Sequence, residues 1–388
     1  MPRPGDPKRS VAAAVAQVGS SVFSPLAERI AVHPGPIFPL HIGDTWLEPF
    51  QGGRMEDLHV DQHPGMHRYC EPGGIPALVD AIVQKVRDCN GLPCQREHVL
   101  VTAGATGGLA CAVSALADPG EEVLVLAPFW PLIRGIVRAQ RACPIEVPFF
   151  DRVDSPEAAV AAVEARLSGR SVALYVSTPS NPTGRVIPHP WLEALAEWAR
   201  RRDVWILSDE VYEDYVYRGS HLSIRTFAPE RTVSVYSFSK AYGMAGNRVG
   251  YLVGPAELIA QACKVGVHTA YHAPTAGQLA ALAALKSGGA WLAEVREAYR
   301  KAGEDAARVL GVAPPEGSCF LFVDVRERLR GREPLDLLAE CLEEGVVLAP
   351  GSSCGEDYGG WVRLCYTSAP PEAVAEAVRR VAPRIAAA

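Results

Sequence analysis

Ser237-Phe-Ser-Lys-Ala-Tyr-Gly-Met-Ala-Gly-Asn-Arg-Val-Gly250 is the stretch on which the reading of this chain turns. It sets Lys240 beside serine hydroxyls and eight residues before Arg248, with glycines between. A nearby cation and a partly desolvated pocket lower a lysine pKa and free its amine to attack a carbonyl. Ser237 and Arg248 offer a hydroxyl and a charged fork to a dianionic phosphate. A nucleophilic amine next to a phosphate cradle points to pyridoxal phosphate held as a Schiff base. The same residues also suit a solvated lysine in a glycine-rich loop, so the surrounding chain has to decide.

Upstream, residues 205–208 read as a buried strand that delivers Asp209-Glu-Val-Tyr212, and the continuous apolar run 172–176 has the look of a parallel strand covered on both faces. That run leads into Asn181-Pro-Thr-Gly184. Ligands of open α/β sheets bind at the carboxyl ends of such strands. With the cofactor present, an ionised Asp209 would keep the pyridine nitrogen protonated and so make the ring an electron sink, while Asn181 and Tyr212 would donate to the ring hydroxyl oxygen. Asp209 would serve equally as a helix N-cap. Gly104-Ala-Thr-Gly-Gly108 follows a short strand at 99–102 and opens the apolar helix 109–116, presenting free N–H groups suited to phosphate or simply making a structural turn. Trp130 follows the strand 122–127, where an indole can pack in the core or stack on a pyridine ring.

The Ser-x-Ser-Lys segment, with Asn181, Asp209, Tyr212, Ser237, Lys240 and Arg248 in matching order and spacing, resembles the class I and II aminotransferases, fold-type I pyridoxal phosphate enzymes, over about residues 23–385. The resemblance implies an α/β fold: a large domain with a mostly parallel sheet flanked by helices, and a smaller α/β C-terminal domain. Residues 1–52 would form an N-terminal arm and part of the small domain, 53–289 the cofactor domain and 290–388 the C-terminal domain. It also implies that Ala105 and Thr106 make a second phosphate contact, that Trp130 is the stacking ring, and that the Gly43 backbone meets the substrate carboxylate beside Trp46, a pocket wall or core residue. Tyr69, which begins Tyr-Cys-Glu-Pro-Gly-Gly, would reach the cofactor phosphate of a neighbouring subunit, hence a homodimer with shared sites. Arg363, in Gly359-Gly-Trp-Val-Arg-Leu364, would clamp the substrate α-carboxylate through two parallel bonds, unless it is a surface ion pair. The chain departs from the family at Val79, where an arginine often stands.

The implied reaction moves an amino group between an L-amino acid and a 2-oxo acid, the freed Lys240 amine shifting the α-proton as base and then acid. Lyases, synthases and oxidases share this scaffold and remain alternatives. A transcription regulator would need a basic helix-turn-helix domain ahead of the module, and only about thirty residues precede Pro36. Dicarboxylate-specific relatives carry a second cation; residues 267–278 hold no Arg or Lys, only His268 and His272, and Thr106 stands where some relatives have lysine. Aspartate is thereby disfavoured, and Trp46, Phe129 and Trp130 favour an apolar or aromatic side chain.

Composition agrees. The 388 residues, 48% hydrophobic and 21% charged, suffice for two domains. A net charge of −6 offers no basic field for nucleic acid or an anionic membrane surface. Ten scattered cysteines without a C-x-x-C pair suit a reducing cytoplasm. Lys8 and Arg9 ahead of residues 11–18 mimic a signal peptide, but the alanine-rich run continues into Phe23, Leu26 and Ile30 at helical spacing. No run approaches the ~20 apolar residues of a transmembrane helix. His59, His63 and His67 have the spacing of a metal-binding helix face, which Pro64-Gly65 breaks, so a loop into Tyr69 is expected. Residues 37–42 and 346–348 read as strands, 315–325 and 362–366 likewise, and 256–264, 275–285, 291–309, 335–343 and 371–385 as helices.

Overall fold

The computed structural model describes residues 12–16, 18–19 and 26–386. Strands β1 (Val99–Ala103), β2 (Glu122–Ala127), β3 (Cys143–Pro148), β4 (Ser171–Ser177), β5 (Trp205–Asp209), β6 (Thr232–Ser237) and β7 (Val249–Val253) form one seven-stranded sheet in the order β1-β7-β6-β5-β4-β2-β3. From β3 to β6 all pairings are parallel, whereas β7 is antiparallel to both β6 and β1. The start of β7 therefore lies at the same edge as the carboxyl ends of the other strands, and the segment before β7 meets the segments after them.

Side chains alternate across the strands, which explains why the buried runs are apolar throughout. Along β4, Ala173 and Tyr175 join Val125, Leu207 and Val235 on one face, under the helices Gly104–Leu116, Leu132–Ala139 and Ala256–Thr269. Leu174 and Val176 join Leu192, Leu195 and Trp198 on the other, under Pro156–Glu164 and His189–Arg202. Further along that face Val101, Tyr236 and Tyr251 pack on Pro76–Asp88 and Thr275–Ser287.

A second sheet, antiparallel and ordered β8-β10-β9, consists of β8 (Phe320–Asp324), β9 (Ala349–Pro350) and β10 (Trp361–Cys365). Its core draws on the helices Gly289–Leu310, Pro334–Glu343 and Pro371–Ile385 and on Leu26 and Leu40 from the N-terminal part. The expected strand at 37–42 is not formed: Phe38 makes a single bridge to Val346. Pro36 and Pro39 lack the N–H groups a ladder needs. The segment runs instead as a strap over the end of β10, with Cys365 N donating to Leu40 O at 2.7 Å, Thr367 Oγ1 to Asp44 O at 2.7 Å and Trp46 N to Thr367 O at 2.9 Å. The strand expected at 346–348 is likewise reduced to that bridge and the two residues of β9. Among the described residues, Ala13–Ala16 and Ala27–Ala31 are α-helices of the N-terminal part, while Lys8, Arg9 and Phe23 lie outside the described residues. Residues 60–68 are turns and bends, with His63 N bonded to His59 O and Met66 N to His63 O.

Candidate active site

The carboxyl edge of the large sheet and the strap bound a cleft lined by Gly43, Ala105, Thr106, Trp130, Asn181, Asp209, Tyr212, Ser237, Lys240, Arg248 and Arg363. Most come from the ends of elements, whereas Gly43 lies in the strap and Arg363 at the middle of β10. Ala105 and Thr106 follow β1, Trp130 follows β2, Asn181 follows β4, Asp209 ends β5, Ser237 ends β6 and Arg248 precedes β7. Among the residues that the sequence assigned to cofactor or substrate contacts, Tyr69 does not line this cleft, nor do Trp46 and Phe129; the Tyr69 ring is 83% exposed and tilted against Tyr271 at 5.0 Å.

Ser237 caps the one-turn helix Phe238–Ala241, its Oγ accepting from Ser239 N at 3.0 Å, so its own proton remains available to an anion. Lys240 projects from this turn and donates through Nζ to the Gly43 carbonyl. Its backbone carbonyl accepts from Tyr215 Oη at 2.7 Å, which fixes the turn that carries the amine. Arg248 adopts a left-handed backbone (φ 54°) and donates to Ala245 O at 3.0 Å. Gly104 has φ +72°, and a Cβ there would lie 2.4 Å from Arg248 Nη2. Glycine thus lets the guanidinium lie against the first turn of Gly104–Leu116, a helix with no side-chain cap on its N-terminal N–H groups. Hydroxyl, guanidinium and free helix-end amides in one corner form an anion cradle of the right chemistry for a phosphate.

Asp209 is 4% exposed and has no ion-pair partner among the described residues. Its Oδ2 accepts from Tyr175 Oη at 2.6 Å and its Oδ1 from Val211 N at 3.4 Å. Burial pushes its carboxyl up to about 6 despite these donors. Burial also holds the Tyr212 phenol well above the usual tyrosine range, so it is a donor at neutral pH. Across the cleft, Arg363 is 6% exposed; Nη1 donates to Asn181 Oδ1 and Nη2 to the His41 carbonyl, both at 2.9 Å, and its guanidinium lies 4.6 Å from the centre of the Phe320 ring. The surface ion-pair alternative for Arg363 is thereby excluded, since the residue is buried and its bonds go to an amide and a carbonyl.

Phe320, Val211 and Tyr175 are among the residues that went unread in the sequence. Phe320 supports Arg363 and stands where a Cβ on Gly43 would come within 2.6 Å, and nothing in its apolar strand marks it. Val211 lines the cleft between two residues that were singled out. Tyr175 had a legible signal: it carries the one polar side-chain atom in Val172-Ala-Leu-Tyr-Val176, and a buried hydroxyl requires a partner. Phe129 is fully buried in the core, and Trp46 is 39% exposed outside the lining, so the apolar surface of the cleft is supplied by Trp130, Leu109, Val211 and Phe320.

The sequence model described as aminotransferase class I and II matches residues 40–381. The probable aspartate/prephenate aminotransferase of Thermus aquaticus is 36% identical over 315 residues, 78% of this chain and 80% of that one. The arginine–pyruvate transaminase of Pseudomonas aeruginosa is 32% identical over 331 residues, 82% of each. Among solved structures, a double mutant of Thermus thermophilus aspartate aminotransferase superposes with a TM-score of 0.89 at 30% identity, covering 97% of this chain and 99% of that one.

Proposed function

Because the chain belongs to the class I and II aminotransferases and so moves an amino group between an L-amino acid and a 2-oxo acid, we propose that it does this with pyridoxal 5'-phosphate in the cleft anchored on Lys240. Bound there, the cofactor would supply a carbonyl for covalent attachment of amines and a ring that takes up the electron pair released at the substrate carbon. Ser237, Arg248 and the backbone amides of Ala105 and Thr106 would hold its phosphate, Trp130 would flank the ring, Asp209 would face the ring nitrogen, and Asn181 and Tyr212 the ring oxygen. Lys240 Nζ would carry the α-proton, as base and then as acid. Arg363, with Gly43 beside it, would grip the α-carboxylate and so fix which face the α-carbon presents. Tyr69 would complete the phosphate site of a second copy in a homodimer. In this reading residues 53–289 hold the cofactor, while 1–52 and 290–388 bring the strap and Arg363. Ten free cysteines suit the cytoplasm.

The observation that carries this reading is the convergence of Lys240, Asp209, Arg248 and Arg363 on one cleft from four separate elements. It also bears on the donor. Among the described residues lining the cleft the cations are Lys240, Arg248 and Arg363, each with a task, so no cation is left for a distal carboxylate. We therefore assign a donor with an uncharged, apolar or aromatic side chain, and relatives named for acidic and for basic donors match at similar identity. The test is a half-reaction: protein reconstituted with pyridoxal phosphate is mixed with single amino acids without a 2-oxo acid, beside Lys240→Ala. Stoichiometric keto acid and pyridoxamine phosphate from apolar donors in the parent, with none in Lys240→Ala, is expected. Preference for aspartate would overturn the donor class. Ammonia or thiol release with the aldehyde cofactor retained would make the protein a lyase or oxidase.

A further inference from the structure

Asp209 has one strong neighbour, and it comes from a strand rather than from the cleft. In the parallel pair β4–β5, Ser177 lies opposite Asp209 and Tyr175 opposite Leu207. The tyrosine ring stands in the apolar layer with Val125, Leu207 and Val235 and is fully buried. Phenylalanine would fill that space equally well. The hydroxyl is accounted for by Asp209 Oδ2, 2.6 Å away. The other bond to the carboxylate, from Val211 N, is long at 3.4 Å. The remaining charged and titratable groups nearby are Glu210, which follows in the chain and is itself bonded to His221 at 2.8 Å and Ser223 at 2.6 Å, the Tyr212 phenol, and the cleft cations Lys240, Arg248 and Arg363.

We propose that Tyr175 is a positioning residue for amino transfer: its hydroxyl holds the Asp209 carboxylate in one orientation and in its charged form, leaving Oδ1, which carries only the long bond from Val211 N, to face the cofactor ring. The proposal rests on the reading that Asp209 meets the ring nitrogen. A hydrogen bond donated to a carboxylate favours the ionised state and opposes the burial that favours the neutral one. Burial pushes Asp209 up to about 6 even with the phenol in place, so loss of the phenol carries the group further toward its neutral form near neutral pH. Burial and the adjacent carboxylate hold the Tyr175 hydroxyl well above the usual tyrosine range, so it keeps the proton it donates.

Two measurements separate the proposal from its premise. In the cofactor-free protein labelled with carboxyl-13C aspartate, the Asp209 resonance, assigned by its loss in Asp209→Asn, is titrated in the parent and in Tyr175→Phe. The midpoint is expected to rise by about one unit or more, roughly tenfold in the protonation equilibrium. In the reconstituted protein, the acid limb of the half-reaction rate should move up by the same amount in Tyr175→Phe, with the parental rate nearly regained at alkaline pH. A structural role alone would lower the rate at every pH. If Tyr175→Phe fails to fold, 2,3-difluorotyrosine at 175, a stronger donor of the same shape, should move the midpoint down instead. An unmoved midpoint in the folded variants overturns the proposal. Parental half-reaction rates in Asp209→Asn would overturn the premise, whatever Tyr175 does to the titration.

Discussion

Arg363 is held before any substrate arrives. Asn181 and the His41 carbonyl each take one terminal nitrogen and Phe320 lies under the guanidinium plane, so the fork is already oriented. Burying an arginine without an ion pair costs several kcal/mol, which marks the position as one where an incoming anion is favoured. Replacing it by lysine keeps the charge but removes the planar fork. Arg363→Lys is expected to raise the amino-acid KM about 10- to 100-fold, the loss of one charged hydrogen bond, with a smaller change in kcat. Steady-state kinetics on the best donor of the half-reaction panel checks this; an unchanged KM would place the carboxylate elsewhere.

At the scale of elements, the phosphate corner depends on how closely β7 approaches the start of the helix Gly104–Leu116. Two glycines permit it for different reasons. A Cβ on Gly250 would meet Ala105 N at 2.6 Å, Tyr236 O at 2.7 Å and Gly104 C at 2.8 Å, all backbone atoms. The nearest atoms to a Cβ on Gly104 are those at the end of the Arg248 side chain, and the φ of +72° there favours glycine. The two alanine variants should therefore behave differently. Gly250→Ala overpacks a sheet–helix junction and is expected to cost about 1–3 kcal/mol of stability in chemical denaturation. Gly104→Ala should cost about 1 kcal/mol of stability from its backbone. It should weaken cofactor binding more, because Arg248 must leave the cradle. Equal losses of stability and cofactor affinity in the two variants would contradict this division.

At the scale of the whole molecule, the strap at 36–46 links the two sheets: it hangs on β10 through Cys365 and Thr367 and offers the Gly43 carbonyl to Lys240. Groups on the two sheets thus share one cleft, and its geometry follows their relative placement. No helix among the described residues is long and apolar enough to cross a membrane. Tyr69 is 83% exposed beside Tyr271 and His272 and lies outside the cleft of its own chain, an arrangement that suits the proposed shared-site homodimer. Tyr69→Ala and Lys240→Ala are each expected to be impaired. Mixed after dissociation and reassociated, they should regain up to about a quarter of parental activity, because half the dimers are hybrids with one complete site. If Tyr69 served its own subunit, no hybrid would hold a complete site and nothing would be regained.

The strand-end motifs were legible because they are local. Lys240 in its Ser-x-Ser-Lys turn, Asp209 after an apolar run and Asn181 before Pro182 announce themselves by what precedes them in the chain, and the buried strands by continuous apolar composition. The helix Pro371–Ile385 was read to its ends for the same reason, since its periodicity and its N-terminal proline are contained within it. The strap was misread as a strand because composition cannot register which backbone partners are available, and with prolines at 36 and 39 it makes one bridge to Val346 and isolated bonds at the end of β10 rather than a ladder. Phe320 and Tyr175 act on residues that are remote in sequence, 43 positions from Arg363 and 34 from Asp209. The sequence by itself determined the chemistry available to this protein, because residue types and their neighbours suffice for that. Only the tertiary structure decided which hydroxyl meets Asp209 and which ring bears Arg363, because side chains on different strands become neighbours through sheet order and register.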